Sequence, residues 1–431
     1  MSILNEYSSS EEEQDIINNE QPPVKKQKLF DSIDIELQKE IETKRLAKEL
    51  KKKRKGKNDA WATYSSDEEE QQQQQQQYEE RKSEALIKSE NTDSESNEFS
   101  TQFMGKEEFD YQGRSYLHCP FKSIEPGSKE CYQPKKIINT IKLAHKKGVN
   151  KIVPFPNTGH LILSCGNDNI IKLWSNKFEL LRIFKGHYQS AVKDVVFNSK
   201  GDKFLSCGFD KVVNLWDTQS GKVLKTMSVE AVPNVVRFGE NDNEVLIGLA
   251  NSKILHYDLI NLQSIQIYDH HTGSINDLLI HDIGFISTSD DKSIRVWKWQ
   301  INIPLKVISD PSLFSMPSIK KHPNANYIAI QSTDNKIKVI HSHGKYRWYK
   351  KKKFLGHQNA GYGIELNFSP DGKILMSGDA KGYVYFWDWQ TCNQINRIQL
   401  GSRLIKTIVM NPQESSTIYA GCSSGNIYCL A

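Results

Sequence analysis

The sequence predicts an all-β fold, a closed ring of seven repeated units preceded by a charged tail. Three observations carry this. Short strand-like runs recur seven times at near-constant spacing. A polar residue, most often a turn former, stands a fixed interval before each run ends. The composition changes sharply after residue 108. Residues 1–108 hold 17 basic and 26 acidic side chains, a net of −9, while residues 109–431 hold 40 and 26, a net of +14. The overall +5 and the 37% apolar content are therefore averages over two unlike parts.

In chain order, the tail comes first. Glu11-Glu12-Glu13, Asp67 to Glu70 and the glutamine run Gln71 to Gln77 bury too little apolar surface to offset ordering entropy, so 1–108 reads as mostly disordered. One stretch, 31–57, departs from this. It has no Pro and no Gly before Gly56. Ile33, Leu37 and Ile41 recur near helical spacing, with acidic residues early and basic residues late. It predicts a helix that orders on a partner. Lys25-Lys26-Gln27-Lys28 and Lys51-Lys52-Lys53-Arg54-Lys55 fit nuclear import or phosphate contact. Trp61 and Tyr64 have no local core to fill and read as anchors for a partner pocket.

Residues 109–134 lie outside the repeat and predict a strap packing on the ring or on a partner. Tyr111, Arg114 and Tyr116 are its candidate contact residues.

The repeats occupy 135–431. Their strand-like runs end at Trp174, Trp216, Tyr257, Trp297, Ile340, Trp387 and Leu430, spaced by 42, 41, 40, 43, 47 and 43 residues. Six positions before each end stand Asp168, Asp210, Asn251, Asp291, Asp334, Lys381 and Ser424, turn formers in the first five units. Several units open with a histidine: His145, Gly186-His187, His271 and Gly356-His357.

This pattern resembles the WD40 repeat, each unit being one four-stranded blade of a seven-bladed β-propeller. One blade cannot bury both faces alone, and seven arranged radially bury one another. Within blade two, His187, Asp194, Ser206 and Trp216 are expected to form a buried hydrogen-bond chain. In blade six, His357, Glu365, Ser377 and Trp387 are a variant with Glu in the acid place. Blade one carries Lys151 where blade two has Asp194. The His, Ser and Asp sets recur from blade to blade, which argues against a catalytic site or a set of metal ligands. The third strand of blade seven ends at the last residue, so the fourth is expected from Ile137–Ile141, pairing near Thr417–Ala420.

Other chemistries find no support. There is no P-loop, GxSxG, HExxH or kinase signature. Seven cysteines without a CxxC argue against a zinc or disulfide framework and fit a reducing compartment. No apolar run is long enough to span a membrane, and the N-terminus has no secretory pattern. No cofactor or small-molecule substrate is expected. The run Arg347, Trp348, Tyr349, Lys350, Lys351, Lys352 and Lys353 joins aromatics to charge, a combination suited to RNA or an acidic partner.

Asp110 to His118, Cys131-Tyr132, Ser287 to Ser293 and Lys350 to His357 with Ala360-Gly361-Tyr362 together resemble the pre-mRNA-processing factor 17 family, and Trp61 to Tyr64 is similar to a short tail element of that family. The resemblance implies a non-enzymatic nuclear scaffold of the spliceosome. It would act around the second transesterification, exon ligation with 3′ splice-site docking, as a monomer among spliceosomal proteins, small nuclear RNA and pre-mRNA. The alternative is a WD40 substrate receptor of a cullin-type ubiquitin ligase. Against it, the tetrads Trp216-Asp217-Thr218-Gln219 and Trp387-Asp388-Trp389-Gln390 lack the arginine such receptors often carry.

Overall fold

The computed structural model describes residues 99–431, apart from Asp110, Lys122, Ser123, Pro126, Gln189, Pro311 and Ala360. The expected helix over 31–57, both lysine clusters, Trp61 and Tyr64 lie outside the described residues. Among the described residues every regular element is a strand. They form seven antiparallel sheets, six of four strands and one of five.

Blade two shows how a sheet is built. Val192–Phe197 is innermost, followed outward by Lys203–Gly208, Val212–Asp217 and Val223–Ser228. The second strand of a blade has neighbours on both sides and on both faces. Leu161–Gly166 and Gly284–Ser289 are accordingly buried at every residue, without alternation. Outer strands such as Val223–Ser228 are mostly open to water.

The core lies between blades rather than within them. Seven apolar clusters are present among the described residues, and each is shared by two neighbouring blades. Leu205, Val213 and Met227 of blade two meet Val236, Ile247 and Leu255 of blade three. Val149, Ile162 and Trp174 of blade one meet Tyr419 and Ile427 of blade seven, which shuts the ring. A lone blade would leave both of these faces in water at about 25 cal/mol per Å² of apolar surface, so the blades need one another to fold.

Closure differs in one respect from the sequence expectation. Ile137–Ile141 does complete blade seven, but it pairs with Ile427–Leu430, with Ile137 opposite Leu430 and Ile141 opposite Ile427. It does not pair with 417–420. Ile418–Cys422 is already flanked by Ile405–Met410 and Ile427–Leu430 and has no free edge. At the seam the His145 amide donates to the Gly425 carbonyl at 3.1 Å. Gly425 has φ +91°, and a side-chain Cβ there would stand 1.8 Å from the His145 carbonyl oxygen, so only glycine fits.

Blade one has a fifth strand. Ser100–Phe103 adds to the outer edge of Leu180–Lys185, antiparallel and in continuous register. The fold thus covers one of its own outer edges by strand addition.

Candidate functional site

Three sets of polar side chains stand out: the histidine chains inside blades, a ring of charges around the central channel, and the outer rim.

In blade two the Trp216 indole N–H donates to Ser206 Oγ at 2.9 Å, and Ser206 Oγ lies 2.8 Å from His187 Nε2. The acid that completes the chain is Asp210, 2.9 Å from His187 Nδ1, not Asp194. The same four-residue arrangement recurs in blade one as His145, Asp168, Ser164 and Trp174, and in blade four as His271, Asp291, Ser287 and Trp297. Burial raises the Asp291 pKa, but hydrogen bonds from His271 and Ser293 outweigh it and hold the carboxyl well below its usual range. The linking serines are wholly buried. No substrate reaches them, and each set ties the turns of its own blade to its third strand. A signal for the true acid was present in the sequence. The units that open with His145, His187 and His271 are units with Asp at the turn position.

Blade six does not form the expected variant. Trp387 donates to the Leu355 carbonyl at 3.0 Å, Ser377 Oγ bonds only the Gly378 carbonyl, and His357 Nε2 faces the Gln331 carboxamide of blade five at 2.8 Å. Burial pushes the His357 pKa down to about 4, with Asp334 acting weakly in the other direction. Lys381 at the turn position offers His357 no acceptor.

Asp194 and Glu365 instead belong to the channel. Innermost strands place Lys151, Asp194, Arg237, Asp277 and Lys320 around it, and Glu365 stands just ahead of the innermost strand of blade six, Leu366–Phe368; the six alternate in sign from blade one to blade six. Arg237 bridges Asp194 and Asp277, 2.6 Å from each. Glu365 is held by Lys151 at 2.8 Å and Lys320 at 3.0 Å, and the Thr407 hydroxyl of blade seven donates to it at 2.6 Å. Between blades four and five the link is the Ile319 amide donating to Asp277 at 3.0 Å. Burial raises the Glu365 pKa, but Lys151 and Lys320 outweigh it and set the net shift downward. For Lys151, burial lowers the pKa while Glu365 and Asp194 raise it further. Seven is odd, so an alternating ring needs one neutral member, and Thr407 supplies it. The channel cavity has a volume of about 400 Å³, and its charges are largely engaged with one another.

The rim carries the remaining candidates. Tyr116 is turned inward. Its hydroxyl donates into the Thr218 and Gln219 carbonyls at 2.7 and 2.9 Å, and Arg182 reaches Tyr116, Glu108 and the Ser220 carbonyl together. Burial pushes the Tyr116 pKa up to about 12, although Arg182 acts to lower it. Tyr116 therefore fastens the strap to blades one and two and is not presented to a partner. Tyr111 is 89% exposed, and Arg114 is also on the surface.

The basic run forms the outer strand of blade five, Trp348–Phe354. Its pairing jumps from Lys338–Lys353 to Ile340–Trp348, so 349–352 bulge outward opposite Val339. Arg347, Lys350, Lys351 and Lys353 are exposed. Lys352 is not: its ammonium sits 4.6 Å over the Trp389 ring and bonds the Trp389 carbonyl. Beside the run, a groove of about 860 Å³ lies between blades four and five, floored by Leu305, Val307, Tyr346 and Trp348 and edged by Lys306, Arg347 and Lys350.

The WD domain, G-beta repeat family matches residues 135–175, 178–217, 262–298 and 348–388. The pre-mRNA-processing factor 17 of Saccharomyces cerevisiae is 39% identical over 359 residues, covering 79% of this chain and 78% of that protein. The chain belongs to the pre-mRNA-processing factor 17 family. The Homo sapiens member is 36% identical over 326 residues, covering 73% of this chain but 56% of the human protein. The WD repeat-containing protein 25 of Mus musculus is more distant, at 24% over 285 residues, 63% of this chain and 53% of that protein. The matched repeats are offset from the blades by one strand. The repeat at 135–175 includes Ile137–Ile141, which closes blade seven, and the repeat at 348–388 opens on the basic outer strand of blade five.

Proposed function

We propose that this protein is a non-enzymatic scaffold of the spliceosome in the nucleus. It would act in pre-mRNA splicing around the second transesterification, helping to hold the 3′ splice site docked for exon ligation. The observation that carries this is family membership over about four-fifths of the chain. The geometry fits a scaffold. The histidine chains are sealed inside the blades, the six alternating channel charges are engaged with each other or with backbone amides, and what faces solvent is the outer rim. Arg347, Lys350, Lys351 and Lys353, on and beside the blade-five bulge, are the proposed contact for RNA phosphates or an acidic partner, with nearby aromatics available for stacking. Tyr111 and Arg114 of the strap, and Trp61 and Tyr64 of the tail, are proposed protein anchors.

The test is ultraviolet crosslinking in cells, then affinity purification read by mass spectrometry and RNA sequencing. Small nuclear RNAs with late-acting splicing proteins should be recovered. Changing Lys350, Lys351 and Lys353 together to Glu should deplete the direct RNA crosslinks while leaving the ring folded. Recovery of cullin adaptors without those RNAs would overturn the proposal.

A further inference from the structure

His281 and His343 stand off the repeating histidine positions, and no blade network uses them. His281 ends the innermost strand of blade four, Ile275–His281, and Asp282 follows it in the turn. His343 lies in the turn after the third strand of blade five, Lys336–His341. The three side chains meet across the seam between the two blades. One ligand atom from each lies within 4.8 Å of the others.

His281 is 5% exposed, yet neither of its ring nitrogens makes a well-formed hydrogen bond, although the Ser342 backbone lies close to the ring. An orphaned buried imidazole is costly and calls for an explanation. His343 Nε2 is 3.0 Å from Asp282 Oδ2, and the Ser342 hydroxyl meets His343 Nδ1 at 2.6 Å, the outer partner that orients a ligating imidazole. Lys321 engages the other Asp282 oxygen, Oδ1, at 3.0 Å and leaves Oδ2 for a ligand. The two imidazole centroids are 5.0 Å apart. Two imidazoles sharing a tetrahedral zinc at ordinary bond lengths have centroids about 5 Å apart.

We propose that His281, Asp282 and His343 bind a divalent transition-metal ion, with zinc as the best fit to two imidazoles and one carboxylate, and that the ion clamps blade four to blade five. Water takes the fourth position, as in other three-ligand zinc sites. On binding, His343 Nε2 releases any proton it carries to solvent, and its Nδ1–H donates to Ser342. The clamp sits at the end of the groove floored by Tyr346, between the same two blades that the Ile319 amide joins in the channel.

The test uses the full-length chain stripped with a chelator, then titrated with zinc by calorimetry and with cobalt by visible absorption. The wild type should bind one ion per chain, with the strong absorption of tetrahedral cobalt. His343 is exposed, so His343→Ala keeps the fold, and it should weaken binding more than about 100-fold, beyond the loss expected for an outer-shell partner. Asp282→Asn should weaken it as well. Lys321→Met removes a competing cation from Asp282 and should tighten binding several-fold, an effect no merely structural role predicts. Saturating zinc should raise the thermal midpoint of the wild type and leave that of His343→Ala unchanged. No binding by the wild type, or equal binding by wild type and His343→Ala, would overturn the proposal.

Discussion

Ser206 and Ser377 occupy equivalent positions in blades two and six, and both are wholly buried, yet the structure assigns them different weights. In blade two, His187 Nδ1–H donates to Asp210. His187 Nε2 therefore accepts from the Ser206 hydroxyl, which in turn accepts from the Trp216 indole. Ser206→Ala strands an indole donor and an imidazole acceptor in a dry core. Each unsatisfied group costs about 1–3 kcal/mol, so the pair costs about 3 kcal/mol. Ser377→Ala removes one 3.2 Å contact to the Gly378 carbonyl and strands neither Trp387 nor His357, so its cost is at most about 1 kcal/mol. A ring of about 300 residues unfolds with an entropy of about 0.6 kcal/mol/K. Ser206→Ala should then lower the thermal midpoint by about 5 °C and Ser377→Ala by less than about 2 °C. Calorimetry on the two variants and the wild type reads the difference directly. Equal shifts, or a larger one for Ser377→Ala, would refute the assignment of the hydrogen-bond chain.

The channel ring and the lone blade-six histidine give two more expectations. Arg237→Met leaves Asp277 with only backbone amide donors and Asp194 with those and Lys151 at 3.8 Å, and should cost about 3 kcal/mol by urea denaturation. Adding Asp194→Asn and Asp277→Asn should recover part of it, and an unchanged urea midpoint for Arg237→Met would sink the ring. For His357 the folded-state pKa, about 4, lies below the ordinary 6.5. The unfolded chain binds the proton more tightly, so the stabilisation is present above pH 6.5 and is lost as pH falls toward 4, by up to about 3 kcal/mol. His357→Asn should flatten that part of the stability–pH curve, and an identical curve for both proteins would contradict the assignment.

The seven blades were legible because each ends its third strand on a large residue at a steady interval. A radial repeat has one economical way to bury such units. The roles of the two acids within a blade were not legible from spacing alone. Asp194 and Asp210 both stand near His187 in the sequence, but strand alternation points Asp194 into the channel while the turn curls Asp210 back over the imidazole. Histidine and turn aspartate appearing together in the same units was the available clue. The channel ring is not legible in the sequence because its members sit in different blades and Arg237 lies two positions past Val235, where blades two and four carry their acids. The closing strand is legible in the sequence, but its neighbour is not. Ile418–Cys422 and Ile427–Leu430 read alike as sequence, and only the order of strands in the sheet says which has the free edge. Tyr116 and Lys352 looked like outward contacts, because composition does not reveal that a nearby carbonyl or tryptophan ring captures each of them.

The proposed role in exon ligation is open to trial in a splicing reaction in nuclear extract depleted of this protein. Depletion should leave the first step intact. Cleaved 5′ exon and lariat–3′ exon intermediate should accumulate, and adding back the purified chain should convert them to ligated mRNA. Normal ligation after complete depletion, or an equal block of both steps that the purified chain does not relieve, would contradict it.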